Sequence, residues 1–202
     1  MTNNIISYTQ RKWKSGGIMC KILNELKGLD ACELLSKYKI SLIPPINISL
    51  LLRKIGISEI PFDFTEIENI MNYKSGEVLG AILAKNDNLS IFYRLSDTKN
   101  RQRFTLAHEI AHCCLHSENL EKKHIELRSS YTANIPKEYQ ANIFAGELLI
   151  PKESLDKIYN KFLIAPPLSD ISKIFEVSTT VMSARLDYLN LSYIKDGKMD
   201  EN

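Results

Sequence analysis

The sequence predicts an α+β fold, mostly helical, with a small antiparallel sheet set before one central helix. Three observations predict it. Apolar residues recur at helical spacing in several separate segments, and two short β-prone runs flank a polar turn near residues 85–88. One long helix carries His-Glu-x-x-His. At 202 residues the chain can bury a core as one domain, or as one domain plus a small helical appendage. Its 44% hydrophobic and 25% charged residues are ordinary for a globular protein. The net charge of +2 gives no electrostatic ground for a nucleic-acid or membrane partner. No apolar run approaches the roughly 20 residues of a membrane span.

Residues 1–20 read as a loose extension. Their basic patch, Arg11-Lys12-Trp13-Lys14, is not followed by the apolar stretch of about 7–15 residues that a secretory signal needs, and Met19 offers an alternative start. The cysteines Cys20, Cys32, Cys113 and Cys114 form no spaced framework, which points to a reducing, cytoplasmic setting. Residues 21–39 carry helical spacing (Ile22, Leu23, Leu26, then Leu34, Leu35, Tyr38) interrupted near Gly28, and Pro44-Pro45 ends the segment. Asn47 caps a short helix from Ile48 to Ile55, stopped by Gly56. A short strand over 57–62 and a helical turn or two from Thr65 to Met71 follow. Leu79–Ala84 and Leu89–Arg94 then form a hairpin around Lys85-Asn86-Asp87-Asn88.

Asp97 is the expected N-cap of the central helix, which runs from Thr98 to about His116. At about 100° and 1.5 Å per residue, His108 and His112 share one face about 6 Å apart, close enough for both imidazoles to reach one metal ion. Glu109 projects from the neighbouring azimuth, where a carboxylate acts as general base toward water. Cys113 and Cys114 lie about 100° and 200° round from His112 and are expected to be small buried residues. His116 sits about 12 Å along the axis from His108, too far for all three histidines to converge, and is expected to support the site indirectly or to pack. Ser117 to Asn134 is polar and unpatterned. A second strong helix starts at Pro136 with the apolar stripe Ala141, Phe144, Ala145, Leu148 and Leu149, and Pro151 ends it. Helical pieces follow at Lys152–Phe162, Leu168–Phe175 and Thr179–Tyr188, and the tail from Lys195 is polar.

A catalytic zinc site needs three protein ligands and an open position. For the third ligand the residues alone leave several candidates open: His124, the carboxylates Glu118, Glu121 and Glu126, and Glu138 at the start of the second strong helix. Glu138 also fits a plain role as an acid near a helix N-terminus.

The strings Arg103-Phe-Thr-Leu-Ala-His108-Glu109-Ile-Ala-His112 and Glu138-Tyr-Gln-Ala141-Asn142-Ile-Phe144-Ala145-Gly-Glu-Leu148-Leu149-Ile-Pro151 resemble the ImmA/IrrE family of zinc metallopeptidases. The resemblance extends from the Pro44-Pro45-Ile46 helix entry to the Leu168–Leu191 region, covering roughly residues 40–192. Ile150 stands where methionine is more usual before the proline. The resemblance implies a zincin-like core, one Zn2+ per chain, and Glu138 as the third ligand beside His108 and His112. It implies that Asn142, one turn beyond Glu138, orients a ligand histidine. Together with the composition of the two ends, for which the family offers no counterpart, it gives an organisation of a loose extension over 1–20, a metallopeptidase core over 21–162, a helix-turn-helix-like region over 163–192 packed on that core, and a polar tail over 193–202.

The expected reaction is hydrolysis of a peptide bond, with Glu109 as the catalytic base and a further donor for the oxyanion. His124, Tyr131 and Arg103 are candidates for that donor, and nothing in the sequence selects among them. The family resemblance implies a regulatory protein as substrate, a helix-turn-helix repressor of the kind carried by phages and mobile elements. Stress-response protease and toxin–antitoxin component are alternative settings. Two other readings compete: a DNA-binding regulator reading through Leu168–Leu191, and a zinc-stabilised protein without catalysis. In the first, Lys173 and Arg185 face Asp170, Glu176 and Asp187, so the region lacks the basic footprint that phosphate binding needs. In the second, a structural metal site has no need of Glu109.

Overall fold

The computed structural model describes residues 21–85, 88–118, 120, 125–129 and 135–195. The chain opens with two short helices, α1 (Lys21–Leu26) and α2 (Ala31–Lys37), separated at Gly28, whose φ of +78° suits glycine. Asp30 and Glu33 close a reciprocal capping box at the start of α2. Asn47 accepts from the Leu50 N–H at 2.8 Å to start α3 (Ile48–Ile55), and Gly56 ends it in the left-handed region. β1 (Ile57–Phe62), α4 (Thr65–Met71), β2 (Val78–Lys85) and β3 (Asn88–Arg94) follow.

The central helix is α5 (Lys99–Leu115). Its N-cap is Thr98 rather than Asp97, one residue later than the sequence suggests, and Asp97 instead pairs with Arg101 at 3.3 Å. Gln102 Nε2 donates to the carbonyls of Leu95 and Asp97 at 3.0 Å, tying the first turn of α5 to the end of β3. β4 (Ile125–Ser129) then precedes α6 (Ile135–Leu149), α7 (Lys152–Tyr159), α8 (Leu168–Phe175) and α9 (Thr179–Tyr188).

The sheet has four strands in the order β1-β3-β2-β4. It is mixed, which corrects the antiparallel expectation: β1 runs parallel to β3, whereas β2 is antiparallel to both β3 and β4. The hairpin inserts β3 beside β1, so the strand next in sequence, β2, lies one place further out. β4 is also unexpected, since it follows the central helix rather than preceding it.

Side chains alternate across the sheet with a period of two. Ile82, Ala84, Leu89 and Ile91 join the main core with α5, while Val78, Ala81 and Phe92 pack under Phe64 and Ile67 on the other face. Glu68 of α4 fixes that second layer, accepting from the N–H of Val78 at 2.8 Å and pairing with the buried Arg94. On its other side α5 packs along α6, so its ten consecutive residues Thr105–Cys114 are all buried. The tail returns to the core at Ile194, which exchanges backbone hydrogen bonds with Pro166 and Leu168 at 3.0 and 2.9 Å. Residues 193 and 194 therefore belong to the fold, and the polar tail begins after them.

Candidate metal centre

The centre lies where α5 faces α6. The i, i+4 spacing stacks three imidazoles along α5, with ring centroids 4.8 Å apart for His108 and His112 and 5.2 Å for His112 and His116. His108 is fully buried and His112 is 6% exposed. Glu138, in the first turn of α6, reaches across to both: its Oε2 lies 3.1 Å from His108 Nε2 and its Oε1 3.3 Å from His112 Nε2. The two Nε2 atoms are 2.9 Å apart. Burial pushes the Glu138 carboxyl upward, but when the two imidazoles are protonated at Nε2 their hydrogen bonds and charges outweigh it and hold the group well below the ordinary carboxylate range.

The far nitrogens of both rings are committed elsewhere. His108 Nδ1 lies 2.9 Å from Asn142 Oδ1, an acceptor, so Nδ1 carries the proton and Nε2 keeps its lone pair. His112 Nδ1 lies 3.2 Å from His116 Nδ1, and His116 Nε2 lies 3.0 Å from Gln140 Oε1. Gln140 accepts from His116 Nε2–H, which leaves His116 Nδ1 to accept from His112 Nδ1–H. The Nε2 of His112 is then also a lone pair. With both Nδ1 atoms protonated, two imidazole lone pairs and a carboxylate converge on one point, where a proton or a metal cation satisfies them. Three ligand atoms at tetrahedral corners around an ion with bonds of about 2.0–2.1 Å lie about 3.3–3.4 Å apart. The observed 2.9–3.3 Å separations approach that spacing, and the nitrogen–oxygen donor set suits zinc. Among the described residues, His108, His112 and Glu138 are the group placed to hold a metal ion.

Glu109 is 2% exposed and lies on the sheet side of α5. There β2 comes so close that a Cβ added to Gly80 would sit 2.8 Å from Glu109 Oε1 and 2.9 Å from Thr105 Cγ2. Gly80 is absent from the sequence-based site, although an isolated glycine inside a strand pattern signals close backbone approach. Gln140 was missed as well, since an exposed glutamine on a helix carries no signal of its own.

Arg103, one of the candidates for the oxyanion donor, donates through its guanidinium to the carbonyls of Ile46 at 3.1 Å, Glu176 at 3.2 Å and Phe175 at 3.4 Å, and burial lowers its pKa. These bonds tie the Pro45–Asn47 segment, α5 and the end of α8 together. His124 and Tyr131 lie outside the described residues. Cys113 and Cys114 are buried, and burial pushes the Cys114 thiol up to about 12. Among the described residues, Cys32 is an exposed free thiol and Cys114 a buried one.

The model of the peptidase family described as the IrrE N-terminal-like domain matches residues 68–187, from the start of the sheet's second layer to α9. A comparison with curated proteins finds no match.

Proposed function

The chain belongs to the IrrE N-terminal-like peptidase family, and on that premise we propose that it is a zinc-dependent endopeptidase that cleaves a regulatory protein, a helix-turn-helix repressor. The observation that carries the zinc reading is the convergence of His108 Nε2, His112 Nε2 and the Glu138 carboxylate with both far imidazole nitrogens already engaged. His108, His112 and Glu138 hold the ion, Asn142 orients His108, and His116 on Gln140 orients His112. When bound, zinc supplies a Lewis acid for the scissile carbonyl and lowers the pKa of water. Glu109 takes a proton from the attacking water and passes it to the leaving amine nitrogen. Burial of Glu109 between α5 and β2 keeps its carboxylate in one position and sheltered from bulk solvent. Glu138, whose side chain is 23% exposed, marks the side on which substrate enters.

A duplex-reading role draws no support from α9. Its one arginine, Arg185, is buried, donating to Glu147 Oε1 at 3.2 Å and to the Ile150 carbonyl at 3.3 Å, and is unavailable to phosphate. Among the described residues no helix is long and apolar enough to cross a membrane. The free thiols of Cys32 and Cys114 agree with a reducing, cytoplasmic setting.

The test uses helix-turn-helix repressors encoded beside this chain, incubated with the zinc-loaded protein and with Glu109→Gln. The wild type cleaves one of them at a defined site, and Glu109→Gln loses at least about a hundredfold in rate while retaining zinc. Undiminished cleavage by Glu109→Gln would remove the general base from the mechanism.

A further inference from the structure

The hydrogen bonds behind the two ligand histidines both lead outward, to the surface of α6. His108 is fully buried, yet its Nδ1–H ends on Asn142 Oδ1 at 2.9 Å, and Asn142 is exposed. His112 Nδ1–H runs to His116 Nδ1 at 3.2 Å, and His116 Nε2–H runs on to Gln140 Oε1 at 3.0 Å. His116 is buried and Gln140 is exposed. Each path therefore ends on a side-chain amide of α6, within one turn of Glu138.

An amide and a carboxylate are close in shape but differ in what they do to a metal ligand. A carboxylate that accepts from the far N–H of an imidazole strengthens the near nitrogen as a donor to the metal. An amide oxygen fixes the same tautomer and ring orientation and brings no charge. The ligand set His108, His112 and Glu138 supplies its negative charge through Glu138 alone. We propose that Asn142 and Gln140 are positioning residues that set how tightly the centre holds its metal, each fixing a ligand histidine through a neutral hydrogen bond. Asn142 acts on His108 directly, and Gln140 acts on His112 through His116. The inference rests on the zinc reading above and goes beyond it, because three converging groups say which atoms hold the ion but not how firmly. Both amides stand at exposed helix positions, where truncation costs little stability, so their hydrogen bonds serve the centre rather than the fold. A weaker imidazole donor also leaves the ion more of its charge to polarise a carbonyl.

The test measures zinc affinity by competition with a chromophoric chelator at pH 8. It compares the wild type with Asn142→Asp, Asn142→Ala and Gln140→Ala, and melts each protein in its metal-free form. Asn142→Asp is expected to hold zinc about tenfold more tightly, and Asn142→Ala and Gln140→Ala about tenfold less tightly. The metal-free melting temperatures are expected to agree within roughly 2 °C. Opposite signs for aspartate and alanine at one position are an outcome that a purely structural contact does not produce. Equal affinity in all four proteins, or weakening by Asn142→Asp and Asn142→Ala alike, would overturn the inference and leave the zinc reading intact. Affinity losses matched by large drops in metal-free melting temperature would also overturn it, by returning the two amides to the fold. A wild type that takes up no zinc would instead remove the zinc reading itself.

Discussion

At the scale of single residues, the centre depends on side chains that hold other side chains. Asn142 and the His116–Gln140 pair set which imidazole nitrogens face Glu138, and Gly80 sets where the Glu109 carboxylate lies. Gly80→Ala puts a methyl group 2.8 Å from Glu109 Oε1. Of the two atoms it meets below 3.0 Å, Glu109 Oε1 ends a flexible side chain that gives way, whereas Thr105 Cγ2 at 2.9 Å belongs to a stiff, buried β-branched side chain and sets the cost in stability. Gly80→Ala is therefore expected to lower kcat by about 10–100-fold. The accompanying loss of stability is no more than about 1–3 kcal/mol, and zinc content stays at the wild-type level. Steady-state kinetics beside a thermal melt checks this, and an unchanged kcat would show that the contact carries no catalytic weight. His108, Glu109 and His112 were legible because their chemistry and their helical spacing coincide in five residues. Glu138 was one of several candidates from the residues alone and was singled out by family resemblance, because it lies thirty positions beyond His108 and spacing does not say how two helices cross. Gly80 and Gln140 act on their neighbours through proximity, which no local pattern records.

At the scale of elements, capping and apolar periodicity located most helices. Asn47 and Gly56 bound α3 where expected, and the stripe from Ala141 to Leu149 is buried along α6. β4 was missed because the alternation in Ile125-Glu126-Leu127-Arg128 is short and embedded in charged residues, so its pairing with β2 supplies what its own composition does not. The parallel pairing of β1 with β3 was likewise unreadable, since strand order belongs to the sheet and not to any one strand. Arg103 joins three elements, and its planar fork matters as much as its charge. Arg103→Lys keeps the charge but not the fork. It is expected to cost about 1–3 kcal/mol and to lower Tm by roughly 3–10 °C, with turnover per folded molecule unchanged within about twofold. A stable Arg103→Lys protein that had lost turnover would instead assign Arg103 to the oxyanion.

At the scale of the whole molecule, the sheet, α5, α6 and α9 form successive supports. The sheet backs Glu109, α5 and α6 bring His108, His112 and Glu138 together, and α9 is fastened to α6 through Arg185. Assembling two lone pairs and a carboxylate in a largely buried place costs free energy that a bound cation offsets, so metal binding and folding are coupled. Protons compete with a metal ion for His108 Nε2 and His112 Nε2, so affinity for the metal falls as the solution is acidified. The most direct measurement is the zinc content of the purified protein at neutral pH beside His112→Ala, Glu138→Ala and Glu109→Gln. About one zinc per chain in the wild type and in Glu109→Gln is expected, with affinity lowered at least tenfold in the two ligand variants. Equal zinc in all four proteins, or none in the wild type after zinc is supplied, would contradict the assignment of this cluster as a catalytic metal centre.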